Sequence, residues 1–154
     1  MKMKKTVIDY VSDIICWGIA IGIPLYLIIT WKNIPNEIPM HYDMVGNVDR
    51  WGSKGELLIL PIMTFMMCAF LSVIECFPQM WNTGVKVTEE NKERVYRVLK
   101  NMLKTVKLIA IADFAFMTIC SIMCKSLPIW FGPVFIFLIF GDLVFWLIKL
   151  VRIK

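Results

Sequence analysis

Three side chains able to do chemistry stand in one polar segment, IPMHYDMVGNVDRWGSK at residues 38–54: His41, Asp43 and Asp49. An imidazole with two carboxylates is a set that can hold a divalent metal, and an imidazole beside a carboxylate can act as a general base. Neither chemistry is complete in the sequence. His41 is the chain's only histidine, the segment supplies no glutamate or cysteine, and no serine or cysteine adjoins the imidazole as a nucleophile. The segment therefore predicts a folded feature in which His41 and Asp49 tie strands together, not an enzyme. No catalytic residue, metal or cofactor is expected.

A second group of ionisable residues lies where charge is costly. Asp13, Glu75, Asp113 and Asp142 fall within long apolar runs. An aspartate at the centre of a membrane helix costs about 2.5–3.5 kcal/mol on insertion scales, so these acids should face a protein interior or a water-filled cavity. Asp13, Asp113 and Asp142 each stand about six or seven residues from one end of their runs, roughly 9–10 Å at 1.5 Å per residue, with Glu75 at the rim. Two readings follow. The acids form one cluster that holds protons or a cation, or each is satisfied separately by a hydroxyl, an amide or a basic side chain reaching in.

The elements that must position both groups are membrane helices. Hydrophobic residues make up 58% of the 154, charged residues 19%, and the mean hydropathy is +0.68, well above the apolar share of about 45–50% in soluble domains. Apolar windows lie at about 7–31, 57–77, 106–124 and 128–148, each able to cross a hydrocarbon core of about 30 Å. The first is too long for a signal peptide's apolar region, lacks a small-residue cleavage site, and should be retained. The outer motif loop is then 32–56 and the inner loop 78–105, within one membrane domain over 1–154.

Basic residues orient the spans. Lys2, Lys4, Lys5, Lys86, Lys92, Arg94, Arg97, Lys100, Lys104, Lys107, Lys149, Arg152 and Lys154 fall on one side, thirteen of the seventeen basic residues, against Lys32, Arg50, Lys54 and Lys125 on the other. By the positive-inside rule both termini are cytoplasmic in a multi-pass protein of the bacterial cytoplasmic membrane. The net charge of +5 thus reflects topology instead of nucleic-acid binding, because the basic residues line span ends. Trp31, Trp51, Trp81, Trp130 and Trp146 sit near span ends as an aromatic belt. Cys16, Cys68, Cys76, Cys120 and Cys124 read as small packing residues inside spans. Gly18 and Gly22 offer close helix approach, either within the bundle or to a second copy of the chain.

Local patterns fill in the loops. In VTEENKERVYRVLKNMLK, Val95, Tyr96, Val98, Leu99, Met102 and Leu103 share one face, and Glu93, Arg97, Lys100 and Lys104 the other. A cytoplasmic amphipathic helix is expected there, with Thr88 as N-cap, running on or bending into span three and resting on the inner leaflet or a soluble partner. In the outer loop, alternation through Ile38, Met40, Tyr42 and Met44 and a Gly46-Asn47 turn predict a short β-hairpin supported by the bundle end. Ser53 and Glu56 form an S-x-x-E capping box that opens span two.

With Pro39, His41, Tyr42, Gly46, Asp49, Trp51, Gly52, Ser53 and Lys54 in place, preceded by one span and followed by Leu60-Pro61 in the next, the pattern IP-x-H-Y-D-x-x-G-x-x-D-x-W-G-S-K resembles the N-terminal domain of unknown function of the SdpI family of bacterial membrane proteins. The span spacing extends the resemblance over roughly residues 10–124. It implies a multi-span helical protein of immunity or signalling type with an outward-facing motif and no catalytic residues. The founding member protects against a secreted peptide toxin and holds a transcriptional repressor at the membrane; the chain lacks that member's further C-terminal spans. The expectation is an all-α integral membrane protein: a four-transmembrane-helix bundle with a short extracytoplasmic β-hairpin loop and a cytoplasmic amphipathic helix. It would bind an extracytoplasmic peptide or lipidic ligand, with the lipid bilayer as its other partner. The alternative is a proton- or cation-linked small transporter using the intramembrane aspartates.

Overall fold

A threonine starts the first helix. The Thr6 amide donates to Asp9 Oδ2 at 2.7 Å while the Asp9 amide reaches back to the Thr6 hydroxyl, so two amides left free at a helix start are satisfied reciprocally. From this cap α1 runs over Val7–Thr30, through Pro24, and a 3-10 turn at Trp31–Asn33 leads to strands β1 (Glu37–Tyr42) and β2 (Val48–Ser53). A second 3-10 turn at Lys54–Leu58 passes directly into α2 (Ile59–Cys76), after which α3 (Lys92–Ile122) and α4 (Phe131–Val151) complete the chain. This computed structural model describes residues 3–153; Lys2 and Lys154, two of the basic residues used to orient the chain, lie outside them. Four helices are long and apolar enough to cross a membrane, and their outward side chains, such as Ile29, Phe137 and Val151, are exposed, as a lipid-facing surface would be.

The third helix takes the continuous form of the two expected, but starts later than Thr88 and differs in facing. Of the residues assigned to the inner loop, Pro78–Met80 form a short 3-10 turn, 81–91 are non-helical, and 92–105 join span three as one helix of 31 residues. Its length of about 46 Å exceeds the hydrocarbon thickness by roughly 16 Å. The start lies after Asn91 because Thr88 and Asn91 cap each other, the Thr88 amide donating to Asn91 Oδ1 at 2.8 Å. Lys100 and Lys104, expected on the polar face of an amphipathic helix, are buried in the bundle together with Lys107. Their alkyl stems pack along α1 and α2 while the ammonium groups reach carboxylates described below, which gives charged residues a reason to be inside.

Three small cores hold the bundle. At one end Val95, Val98 and Leu99 of α3 pack on Trp146 and Leu150 of α4. In the middle Cys16 and Ala20 of α1 meet Cys68 of α2 and Ile111 of α3, so two of the cysteines do pack as small apolar residues. Cys120 is buried in α3 and Cys124 packs, partly buried, on the core around Leu27 and Ile38, whereas Cys76 is exposed at the end of α2. Cys124 lies beyond α3 with φ of 51°, as the left-handed residue of a C-terminal cap in which the Lys125 amide bonds the Cys120 carbonyl. A Cβ added to Gly18 or Gly22 would meet nothing within 4 Å, so that pair does not serve close approach within the chain. At the other end Leu27, Ile34, Ile38 and Leu57 join α1, the hairpin and the start of α2.

Candidate functional site

The hairpin is antiparallel, pairing Glu37 with Ser53 and Tyr42 with Val48, with an irregularity beside His41. Two strands are marginal alone, and several motif residues brace them. Ile38 and Pro39 are buried against the bundle end. Tyr42 places its hydroxyl 3.1 Å from the Ser121 hydroxyl and 3.3 Å from the Lys125 carbonyl, and its burial pushes the phenol above its ordinary range. Gly46 has φ of 93° and accepts from the Leu127 amide at 2.8 Å; a Cβ there would collide with the Leu127 carbonyl oxygen. Lys54 donates to the Trp31 carbonyl at 2.7 Å and stands over the Trp31 ring. Glu56 accepts from the Ser53 amide at 2.9 Å, completing the expected capping box, and pairs with Arg50 at 3.0 Å.

The three residues with chemical potential separate into two tasks. His41 Nδ1 lies 2.6 Å from Asp49 Oδ1, the expected cross-strand tie, and both side chains are largely exposed. Asp43 turns the other way. Its Oδ1 accepts from the Val45 and Asn47 amides at 2.9 and 2.8 Å, shaping the turn. Slight desolvation pushes that carboxyl up, the bonds from Asn47 and Val45 outweigh it, and Asp43 is held below the usual carboxylate range. Trp51 stands half-exposed on β2. Between this hairpin and the start of α4 lies a recess of about 380 Å³ walled by His41, Tyr42, Asp43, Pro128 and Phe131.

The four intramembrane acids do not form one cluster. Asp13 and Glu75 are brought together, by cations: Lys104 lies 2.6 Å from Asp13 and 2.9 Å from Glu75, and Lys107 lies 2.5 Å from Glu75. Asp9, which the sequence reading passed over, is a third member, fully buried and 3.0 Å from both Arg97 and Lys100. Asp142 is elsewhere, 2.7 Å from the Thr105 hydroxyl and accepting from the Trp146 indole at 3.0 Å. Asp113 is elsewhere again, facing an apolar groove of about 300 Å³ between α3 and α4, with Oδ1 buried and without a hydrogen-bond partner among the described residues. Helical geometry separates them: six residues past Lys107, Asp113 is turned by about 240° from the lysine stripe. Mutual repulsion among acids is thus replaced by ion pairing for Asp9, Asp13 and Glu75.

The signal for the missed part was present in the spacing. Arg97, Lys100, Lys104 and Lys107 recur at intervals of three and four, and Asp9 and Asp13 at four, so each set makes a stripe on its helix. The motif's place in the chain agrees with comparison to known proteins. Residues 18–65 match the family described as a domain of unknown function (DUF1648), a stretch that takes in most of α1, the whole hairpin and the first turns of α2. An uncharacterized protein of the archaeon Archaeoglobus fulgidus is 29% identical over 148 residues, covering 84% of this chain and 80% of its own length. No solved structure matches the chain. These similarities are to a domain of unknown function and an uncharacterized protein; the four helices long and apolar enough to cross a membrane are what support a multi-pass membrane protein.

Proposed function

We propose that this chain is a non-catalytic membrane protein of immunity or signalling type, related to the SdpI family, that binds an extracytoplasmic peptide or lipid-tailed ligand on its hairpin. One observation carries the reading: residues of the motif itself wall the recess beside α4, and the rim is apolar where a hairpin in water would be polar. Met44 is 96% exposed at the tip, with Ile129 exposed across the recess and Phe131 in its wall. Flexible methionine beside aromatic and branched side chains suits an amphipathic ligand of variable shape. The basic asymmetry of the sequence puts this rim outside the cell. Because Tyr42 bonds Ser121 near the far end of α3, a ligand that moves the hairpin would act on the helix whose other end holds the lysines.

The transporter reading retains one support, the Asp113 carboxyl in its apolar groove, whose buried Oδ1 has no hydrogen-bond partner among the described residues. Asp9, Asp13 and Glu75 offer no free negative charge to a cation, since each already contacts a lysine. The two readings separate experimentally. Cells producing the chain are challenged with membrane-active peptides secreted by competing bacteria, and the chain is reconstituted in proteoliposomes carrying a pH dye. Protection that is lost in Met44→Asp and Ile129→Asp, without proton flux, is the expected result. Flux abolished by Asp113→Asn, without protection, would replace the binding reading with transport.

A further inference from the structure

The seam between α1 and α2 changes character along its length. At the end expected to be cytoplasmic, a cavity of about 370 Å³ is lined by Lys5 and Asp13 from one side, Ser72, Glu75 and Cys76 from the other, and Lys100 of α3. Toward the hairpin the same seam opens into a groove of about 600 Å³ between Pro24 and Leu27 of α1 and Pro61 and Phe65 of α2, lined by apolar side chains. Trp17 borders the polar cavity, Phe65 borders the apolar groove, and their rings meet edge-on with centroids 5.7 Å apart. The two spaces therefore adjoin across one aromatic pair.

Charge counting gives the polar end its preference. Among the described residues, Lys5, Arg97, Lys100, Lys104 and Lys107 converge on Asp9, Asp13 and Glu75, which leaves two positive charges uncompensated. Arg97 and Lys100 share Asp9, and Lys5 and Lys104 share Asp13, so the surplus falls on the part of the group where Lys5 and Lys100 line the cavity beside Asp13 and Glu75, and an anion would be drawn to those two ammonium groups. A phosphomonoester carries about −1.5 to −2 at neutral pH, which matches the surplus. Ser72 takes the Lys107 ammonium on its oxygen at 3.3 Å and so keeps its hydroxyl hydrogen to donate. From Asp13 to Pro24 is about 16 Å along α1 at 1.5 Å per residue, within the reach of a lipid tail.

We propose that the α1–α2 seam binds a phosphate-headed lipid, its headgroup in the cavity bounded by Lys5, Ser72 and Lys100 and its chain passing Trp17 and Phe65 into the groove between Pro24 and Pro61. This site is separate from the outer recess and does not depend on it. The full chain, reconstituted in phosphatidylcholine vesicles, is titrated with phosphatidic acid brominated on its acyl chain, and quenching of the emission that disappears in Trp17→Phe is recorded. Brominated phosphatidic acid should quench that emission at least threefold more effectively, per mole of lipid, than brominated phosphatidylcholine. Lys5→Gln, at an exposed position ahead of α1, should reduce the difference, and millimolar inorganic phosphate should leave it in place. Equal quenching by the two lipids, no effect of Lys5→Gln, or displacement by inorganic phosphate alone would each overturn the assignment, the last by showing a free-phosphate site.

Discussion

The buried ion pairs make a quantitative prediction through a double-mutant cycle on Glu75 and Lys107. Lys107 is fully buried, bonded to Glu75 at 2.5 Å and to Ser72 at 3.3 Å, with Asp13 at 3.7 Å. Lys107→Met removes the ammonium and keeps most of the stem, so packing changes little. Breaking a buried pair by removing one partner typically costs about 3–5 kcal/mol. Here Lys104, 2.9 Å from Glu75, retains part of the compensation, and about 2–3 kcal/mol is expected. Glu75→Gln keeps the shape and leaves Lys107 only the more distant Asp13, for a similar cost. The double variant removes one positive and one negative charge together, so it should be less destabilised than the two singles combined, with a coupling of about 1–3 kcal/mol. Denaturation with increasing mole fraction of sodium dodecyl sulfate in mixed micelles, followed by tryptophan emission, reads each free energy. Additivity of the two single effects to within about 0.5 kcal/mol would refute the pairing across α2 and α3.

The hairpin and the orientation give the remaining predictions. Gly46→Ala should destabilise the chain by about 2 kcal/mol or more, read as a lowered unfolding midpoint, because it combines a positive φ with a collision against the Leu127 carbonyl; an unchanged midpoint would mean the tip does not dock there. His41→Ala and Asp49→Ala should each cost only about 0.2–1 kcal/mol in the same assay, since the pair is exposed to water. For Asp43, the depressed folded value means its contribution to stability is fully present above the unfolded value of about 3.9 and is lost as pH falls through the lower folded value. Protection of the Val45 and Asn47 amides, taken relative to their intrinsic exchange rates, should therefore fall below about pH 4, and Asp43→Asn should flatten that dependence. In a cysteine-free background, Met44→Cys should react with an impermeant thiol reagent in intact cells and Glu90→Cys only after lysis; the reverse order would invert the topology.

The membrane class, the four spans and the hairpin were legible because each rests on a local signal. A run of apolar residues fixes a span, and Ser53 with Glu56 fixes a helix start, whatever the rest of the chain does. The tie between His41 and Asp49 was legible because two residues flanking a Gly-containing turn face each other across a hairpin. Which way a stripe faces is a different kind of fact. Lys100 and Lys104 were placed on the polar face of an amphipathic helix, a stripe that normally meets water or headgroups, with basic side chains reaching in to the acids left as an alternative. Nothing within α3 opposes that reading. It is overturned by Asp9 and Asp13, some ninety positions earlier in the chain, and by Glu75, whose carboxylates lower the cost of burying ammonium groups only once the helices are packed.

The same reasoning explains why the acids could be placed in depth but not in company. Distance from a span end gives depth directly, through a rise of about 1.5 Å per residue. Company depends on rotation, and rotation is set by which faces the neighbouring helices present. Thr105 and Lys104 are adjacent in sequence, yet one meets Asp142 of α4 and the other Asp13 of α1, because about 100° of turn per residue sends neighbouring side chains to different partners. A helix at the centre of a small bundle thus sorts its polar residues among several partners. Asp113, left with an unbonded oxygen in an apolar groove, is the acid that this sorting does not neutralise. Of the four acids singled out from the sequence, it alone keeps a buried oxygen for which the described residues provide no hydrogen bond. Any proton-dependent behaviour of the chain should therefore follow Asp113→Asn and be indifferent to Asp142→Asn, whose carboxylate is already held by a hydroxyl and an indole.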